Sequence, residues 1–231
     1  MKKLIIIPAY NESECIERTV KDIQKCAQGF DYVIINDCST DHTKEICEKN
    51  GFHLINLPIN LGIGGAVQTG YRYAYENGYD IAVQFDGDGQ HDASFLIQMA
   101  DTLQKEKADM VIGSRFIEKV GFQSSLIRRV GIVYFTRLIK LLTGTTITDP
   151  TSGLRMINRS VIKIFANDYP KDYPEPESVV AVLKNKKIVK EMPVVMHERQ
   201  GGTSSIGSLK SIYYMIKVTL AILVESLRRY Q

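Results

Sequence analysis

Several familiar signatures are missing from this chain, and each absence narrows what it can be. Its four cysteines, Cys15, Cys26, Cys38 and Cys47, show no Cys-x-x-Cys spacing and no paired clusters. Neither a zinc site nor a disulfide framework is expected, and a reducing cytosol fits. No Gly-x-x-x-x-Gly-Lys-Ser/Thr run occurs, which excludes a P-loop NTPase. Asn60-Leu61-Gly62-Ile63-Gly64-Gly65-Ala66 has some of the look of a dinucleotide fingerprint. It lacks the third glycine at the required position and does not open the first βα turn, so a nicotinamide enzyme is disfavoured. The apolar stretch Leu4 to Pro8 is too short for a signal h-region, so nothing directs export. Linkers and internal repeats are absent. The most apolar segment, Ser211 to Val224, is interrupted by Lys217 and bounded by Lys210 and Glu225. It falls short of the roughly 20 uncharged residues that a spanning helix needs.

What is present is a chain of 231 residues, 44% hydrophobic, enough for the core of one large α/β domain. The net charge of +3 conceals an asymmetry. Residues 1–114 hold 10 basic and 17 acidic side chains, and residues 115–231 hold 19 and 9. An acidic first half is tolerable if a cation bridges it to an anionic ligand, and a basic second half suits phosphates or an anionic membrane surface.

Leu4–Ile7, Tyr32–Ile35, His53–Leu57, Ile81–Phe85 and Met110–Ile112 are short runs rich in β-branched residues, which reads as buried strands. The stretches between them have helical spacing, as in Ile16, Val20 and Ile23 or Phe95, Leu96, Met99 and Leu103. This β-α alternation predicts a Rossmann-like, mainly parallel sheet flanked by helices, with ligands beyond the carboxyl ends of the strands. After residue 115 the alternation stops. A long amphipathic helix is expected to end near Leu142, then a Pro/Gly-rich loop, two shorter helices, one strand and a terminal helix.

The polar motifs follow strands. Asp86-Gly87-Asp88-Gly89-Gln90 sets two carboxylates and a side-chain amide in a glycine-loosened turn. Asp86, Asp88 and Gln90 form an all-oxygen donor set of the kind Mg2+ or Mn2+ takes, the remaining ligands coming from water and substrate phosphates. Asp37, ending the second strand, is placed to accept from the ring N–H of a uracil or guanine, with Tyr10 to stack on the base and Glu12 to bind ribose. Ser39-Thr40-Asp41 reads equally well as a turn and helix cap. His91 and His197 read as hydrogen-bonded structural residues rather than ligands.

Pro8-Ala9-Tyr10-Asn11-Glu12, Asn36 to Asp41, Asn60 to Gly70, Asp86 to His91, Gly113-Ser114-Arg115 and Asp149-Pro150-Thr151-Ser152-Gly153-Leu154-Arg155 occur in an order that resembles family 2 glycosyltransferases, most of all the dolichyl- or polyprenyl-phosphate sugar synthase branch. The resemblance spans roughly residues 3–205. It implies a GT-A fold, an inverting mechanism, a nucleoside diphosphate sugar as donor and Mg2+ or Mn2+ as cofactor. By position it places Pro8, Ala9, Tyr10, Glu12, Asp37, Asp86 and Arg199 around the nucleotide sugar, and Asp86, Asp88 and Gln90 on the metal. Arg115, Arg128 and Arg129 match positions that hold the acceptor phosphate, and Asp88, Asp149 and Arg115 are the expected catalytic residues. Two departures stand out. Cys38 replaces a frequent glycine, which is tolerable unless that position needs positive φ, and Ser205 replaces a lysine.

The resulting division is a catalytic domain over 1–205, with a nucleotide-binding half at 1–114 and an acceptor-binding half at 115–205. An amphipathic C-terminal helix follows at 206–231. The cationic amphipathic segments Leu126–Leu142 and Leu209–Arg229 suit a membrane interface. The expected partners are a nucleotide sugar, polyprenyl phosphate, the membrane surface at its cytoplasmic face and a small membrane protein as anchor, with no nucleic acid. Two alternatives stay open. A saccharide hydroxyl acceptor would require a base among Asp149, Glu175 and Glu177, and a nucleotide-sugar-binding protein would have no catalysis.

Overall fold

A computed structural model describes residues 1–123, 125–198 and 208–228. Seven strands form one sheet: β1 (Lys3–Ala9), β2 (Asp31–Asn36), β3 (Leu54–Asn56), β4 (Ile81–Gln84), β5 (Met110–Ser114), β6 (Arg155–Asn158) and β7 (Val189–Pro193). Eight helices flank it: α1 (Ile16–Cys26), α2 (Thr43–Lys49), α3 (Gly62–Glu76), α4 (Phe95–Lys105), α5 (Leu126–Thr143), α6 (Arg159–Asn167), α7 (Pro174–Lys184) and α8 (Ser208–Leu227).

The two-residue period of a strand sorts the core into two layers. Leu4 and Ile6 of β1 face one side, where α3, α5, α6, α7 and α8 supply Val67, Phe135, Val161, Val180 and Val218. Ile5 and Ile7 face the other, against Val20 and Ile23 of α1 and Leu96 and Met99 of α4. With both faces covered, the central parallel strands β1, β2 and β4 are apolar over most of their length, as parallel strands in such sheets are.

The strand order is β3-β2-β1-β4-β6-β5-β7. From β1 the chain winds outward through β2 and β3, then returns to lay β4 on the other side of β1. The order therefore reverses between β1 and β4, and a crevice opens beyond the carboxyl ends of those strands. The motifs after β1, β2 and β4 all emerge there.

One expectation needs correction. Two strands, not one, follow residue 115. The overlooked one, β6, runs antiparallel between β4 and β5, with Arg155 opposite both Gln84 and Ile112. Its apolar centre is only Met156-Ile157, flanked by Arg155 and Asn158, so no apolar run marked it. Arg155 is 1% exposed. It donates from Nε to the Ser152 carbonyl (2.6 Å), from Nη2 to the Pro150 carbonyl (2.6 Å) and from Nη1 to Ser178 Oγ (2.7 Å) and the Glu175 carbonyl.

Gly64, in the first turn of α3, serves packing. Gly64 N–H donates to the Lys171 carbonyl at 3.2 Å, and a Cβ on Gly64 would lie 2.2 Å from the carbonyl oxygens of Lys171 and Pro170. Backbone oxygens cannot rotate away, so Gly64→Ala is expected to destabilise by about 1–3 kcal/mol through overpacking. Urea unfolding checks this; an unchanged midpoint would show that the loop between α6 and α7 yields freely.

Candidate functional site

The loops after β1 and β2 are laced together. Asn11 N–H donates to Ser39 Oγ (3.0 Å), Thr40 N–H to Asn11 Oδ1 (2.8 Å), Ser13 N–H to Asp41 Oδ2 (3.1 Å) and Glu12 N–H to Thr43 Oγ1 (2.9 Å). Burial works to raise the Asp41 carboxyl, but the Thr43 and Ser13 donors outweigh it and hold it below its ordinary value. Ser39, Thr40 and Asp41 thus have the structural role that a turn reading assigns them. Both loops use left-handed residues, Asn11 at φ 57° and Cys38 at φ 58°. The position where the sequence has cysteine in place of glycine does take positive φ, so Cys38 carries backbone strain that glycine would not.

This lacing leaves Tyr10 half exposed at the crevice, beside buried Glu12 and Asp37. Asp37 is held from both ends: its N–H donates to the Ala9 carbonyl (2.9 Å), and its Oδ1 accepts from Leu61 N–H (2.7 Å). Burial raises its carboxyl, with the Leu61 and Gly62 N–H groups working against the rise. A desolvated acceptor at a strand end suits a ring N–H donor. Pro8 and Ala9 are the last residues of β1 and are buried at the strand end from which the loop carrying Tyr10 leaves.

The loop after β4 brings Asp86, Asp88 and Gln90 to the same edge. Asp86 Oδ1 accepts from Gln84 Nε2 (3.1 Å), and Asp86 Oδ2 lies 3.2 Å from His91 Nε2. Asp88 is buried, and its Oδ1 accepts from Gln90 N–H (3.0 Å). Gln90 Nε2 donates to the His197 carbonyl (3.4 Å), so its amide oxygen is the atom that a cation would take. No group of three or more His, Cys, Asp or Glu placed to hold a metal ion occurs among the described residues. Two carboxylates and an amide nevertheless fit Mg2+ or Mn2+, which take few ligands from protein and complete their shell with water and phosphate. Gly153 matters here too, because a Cβ on it would lie 2.5 Å from Asp86 Oδ2. Gln84 and Gly153 were not anticipated. The available signal was a polar residue inside the apolar run Ile81–Phe85.

Arg115 and Asp149 come together, but with each other. Arg115 Nε and Nη2 donate to the two Asp149 oxygens at 2.7 Å each, and Arg115 Nη2 also reaches Thr151 Oγ1 at 3.1 Å. Asp149 is fully buried and the Arg115 side chain is 12% exposed. Behind them Glu191 accepts from the N–H groups of Thr148 (2.7 Å) and Asp149 (2.9 Å), and burial raises its carboxyl. Arg128 and Arg129, by contrast, are exposed on the first turn of α5, which Ser125 caps. Arg199 and Ser205 lie outside the described residues.

The two glutamates of α7 are separated by environment. Burial raises the Glu175 carboxyl, Arg155 pulls it back and the Asp86 charge adds to the rise, which puts it on the site's side of α7. Burial pushes Glu177 up to about 7, and there the neighbouring charges are Glu225, Asp168, Arg228 and Asp172. Arg228 bridges Asp168 and Glu225, and Lys217 pairs with Asp172 at 2.7 Å. Glu177 therefore belongs to the seam between α7 and α8.

Residues 4–165 match the model of glycosyl transferase family 2, and the chain belongs to that family. It is 29% identical over 246 residues to the UDP-N-acetylglucosamine–dolichyl-phosphate N-acetylglucosaminyltransferase of Methanococcus voltae, covering 96% of this chain and 97% of that one. It is 28% identical to the undecaprenyl-phosphate mannosyltransferase of Micrococcus luteus, covering 89% and 88%. Among solved structures it resembles glucosyl-3-phosphoglycerate synthase from Mycobacterium tuberculosis in complex with Mn2+, UDP and phosphoglyceric acid. The TM-score is 0.72 at 15% identity, covering 100% of this chain and 80% of that one. The fold is that of the GT-A glycosyltransferases.

The Glu177 seam gives a pH dependence of known sign. Its folded pKa of about 7 lies above the ordinary 4.5, so the folded state holds this proton more tightly than the unfolded chain does. The associated stability is present below about 4.5 and is lost as pH rises through about 7. Glu177→Gln should therefore melt higher than the parent at pH 8, with the gap closing toward pH 4.5. An equal shift at both pH values would show that ionisation of Glu177 is not the cause.

Proposed function

We propose that this glycosyltransferase moves a hexose, with inversion, from a UDP- or GDP-sugar to a polyprenyl phosphate at the cytoplasmic face of the membrane. The observation that carries the donor half is the convergence of Asp37, Asp86 and Asp88 on one edge at the β1/β4 reversal. Asp37 takes the base, Tyr10 stacks on it and Glu12 takes the ribose. Asp86, Asp88 and Gln90 would hold Mg2+ or Mn2+, which would supply positive charge to neutralise the leaving diphosphate.

A phosphate monoester has its second pKa near 6, so at neutral pH it is already an anionic nucleophile and needs no base. The arrangement suits that demand: Asp149, one of the carboxylates considered as a base, is occupied by Arg115. Arg128 and Arg129 take the acceptor phosphate, guanidinium suiting phosphate oxygens through its planar fork. The Arg115–Asp149 pair acts as a rigid support for the loop at 149–154.

The acceptor's lipid tail accounts for a second feature. No helix among the described residues is long and apolar enough to cross a membrane. Yet α5 and α8 lie side by side, with Tyr134 Oη 3.2 Å from Thr219 Oγ1, and expose Val130, Val133, Ile216, Leu220 and Leu223. Arg128, Arg129, Arg137 and Lys140 are exposed on α5. An apolar face with basic residues beside it suits the interface of an anionic bilayer. A second reading, transfer to a saccharide hydroxyl, is favoured by one observation, the raised carboxyl of Glu175 near Asp86.

Incubation with a panel of UDP- and GDP-sugars, short-chain polyprenyl phosphate and Mn2+ tests the assignment. Product is expected on the phosphate, Asp88→Asn is expected to abolish it without unfolding the chain, and Glu175→Gln to change it little. Transfer to a saccharide hydroxyl, with a fall of about 10²- to 10⁴-fold in Glu175→Gln, would establish the second reading instead.

The surface is tested separately by sedimentation with phosphatidylglycerol vesicles. Leu220→Glu combined with Leu223→Glu should lose most vesicle binding while circular dichroism stays the same. Undiminished binding would remove α8 from the membrane contact.

A further inference from the structure

Gln84 and His91 are buried polar side chains, each with one atom turned to Asp86 and another without a hydrogen-bond partner. Gln84 is fully buried, its Nε2 donates to Asp86 Oδ1 at 3.1 Å and its Oε1 has no partner among the described residues. Its amide orientation is dictated, because the flipped amide would set Oε1 against the carboxylate. The His91 side chain is 3% exposed, its Nε2 lies 3.2 Å from Asp86 Oδ2 and its Nδ1 has no partner among the described residues. The same logic puts its proton on Nε2. The ring stands edge-on to Phe85, centroids 5.3 Å apart, and the His91 backbone bridges to Met196, so the imidazole is fixed in place. Gly153 closes over the carboxylate from the loop between α5 and β6.

A buried acceptor left unmade is destabilising, and folded proteins keep few of them. Here two occur on the two residues that face the two oxygens of one carboxylate. We propose that Gln84 and His91 are positioning residues that set the plane of the Asp86 carboxylate toward the cation and the nucleotide. Neither touches the substrate. Each spends its donor on Asp86, and the glycine at 153 lets the loop backbone come close enough to complete the clamp. The inference rests on Asp86 serving the donor site, as proposed above.

The test uses the full chain with Mn2+ and UDP or GDP as probes, read by calorimetry and by electron paramagnetic resonance of free Mn2+. Gln84→Met and His91→Phe keep approximate volume and remove the donor. Each is expected to weaken Mn2+-supported nucleotide binding about 10- to 100-fold, the usual effect of losing a ligand's outer partner. Melting temperature should change little, and His91→Gln, which restores an N–H donor, should recover much of the loss. Wild-type binding in Gln84→Met and His91→Phe, alongside lost binding in Asp86→Asn, would overturn the clamp alone. Wild-type binding in Asp86→Asn would overturn the donor-site reading together with it. Should the variants fail to fold, 15N shifts of the wild-type imidazoles decide: the proton of His91 is expected on Nε2, and a proton on Nδ1 would refute the proposal.

Discussion

The Arg155 guanidinium sits at the entry of β6 into the sheet, and its hydrogen bonds tie three separate pieces of chain to one point. Pro150 and Ser152 belong to the loop before β6, and Glu175 and Ser178 to the first turns of α7. A buried cation of this kind is tolerable because carbonyl and hydroxyl oxygens meet its N–H groups. Removing it would release the loop that carries Asp149 and Gly153. Gln84 is the register partner of Arg155 across β4 and β6, so the same anchor also sits beside the residue that reaches Asp86.

Carboxylates of one type behave differently here according to what surrounds them. Asp41 is lowered by donors that lace two loops together, and Asp37 is raised by burial at the end of β2. Asp149 is neutralised by a bidentate arginine. The carboxylates therefore resolve into groups that lace loops together, groups desolvated at strand ends and groups paired with arginine, which no count of charges distinguishes. The basic excess of the second half divides in the same way, between buried Arg155 and Arg115 and the exposed arginines of α5.

The terminal helix has two faces with different duties. Val218 and Ile222 complete the core, and Tyr214 stands edge-on to Phe135 at 5.8 Å and to Tyr173 at 4.7 Å. Met215 packs where Gly131 leaves room on α5. The opposite face leaves Ile216, Leu220 and Val224 in solvent. A helix bound so firmly on one side can present the other as a rigid apolar surface.

The amino-acid pattern by itself determined the five strands of the alternating region and the edge where the motifs meet. Buried parallel strands are written as continuous β-branched runs, and loops after strands must fall at their carboxyl ends. It also put Asp37, Asp86, Asp88 and Gln90 at one edge of the sheet, because loops that follow β2 and β4 leave from the same end. Only the tertiary structure decided the rest. β6 was illegible because only Met156 and Ile157 give it apolar character, while Arg155 finds its oxygens partly in the loop just before it and partly 20 or more residues away on α7. The pairing of Arg115 with Asp149, the separate surroundings of Glu175 and Glu177, and the two donors on Asp86 are likewise contacts between residues whose sequence spacing carries no period. The strain at Cys38 is another such case: a side chain's identity shows that it differs from glycine, but only the backbone path shows that φ is positive there.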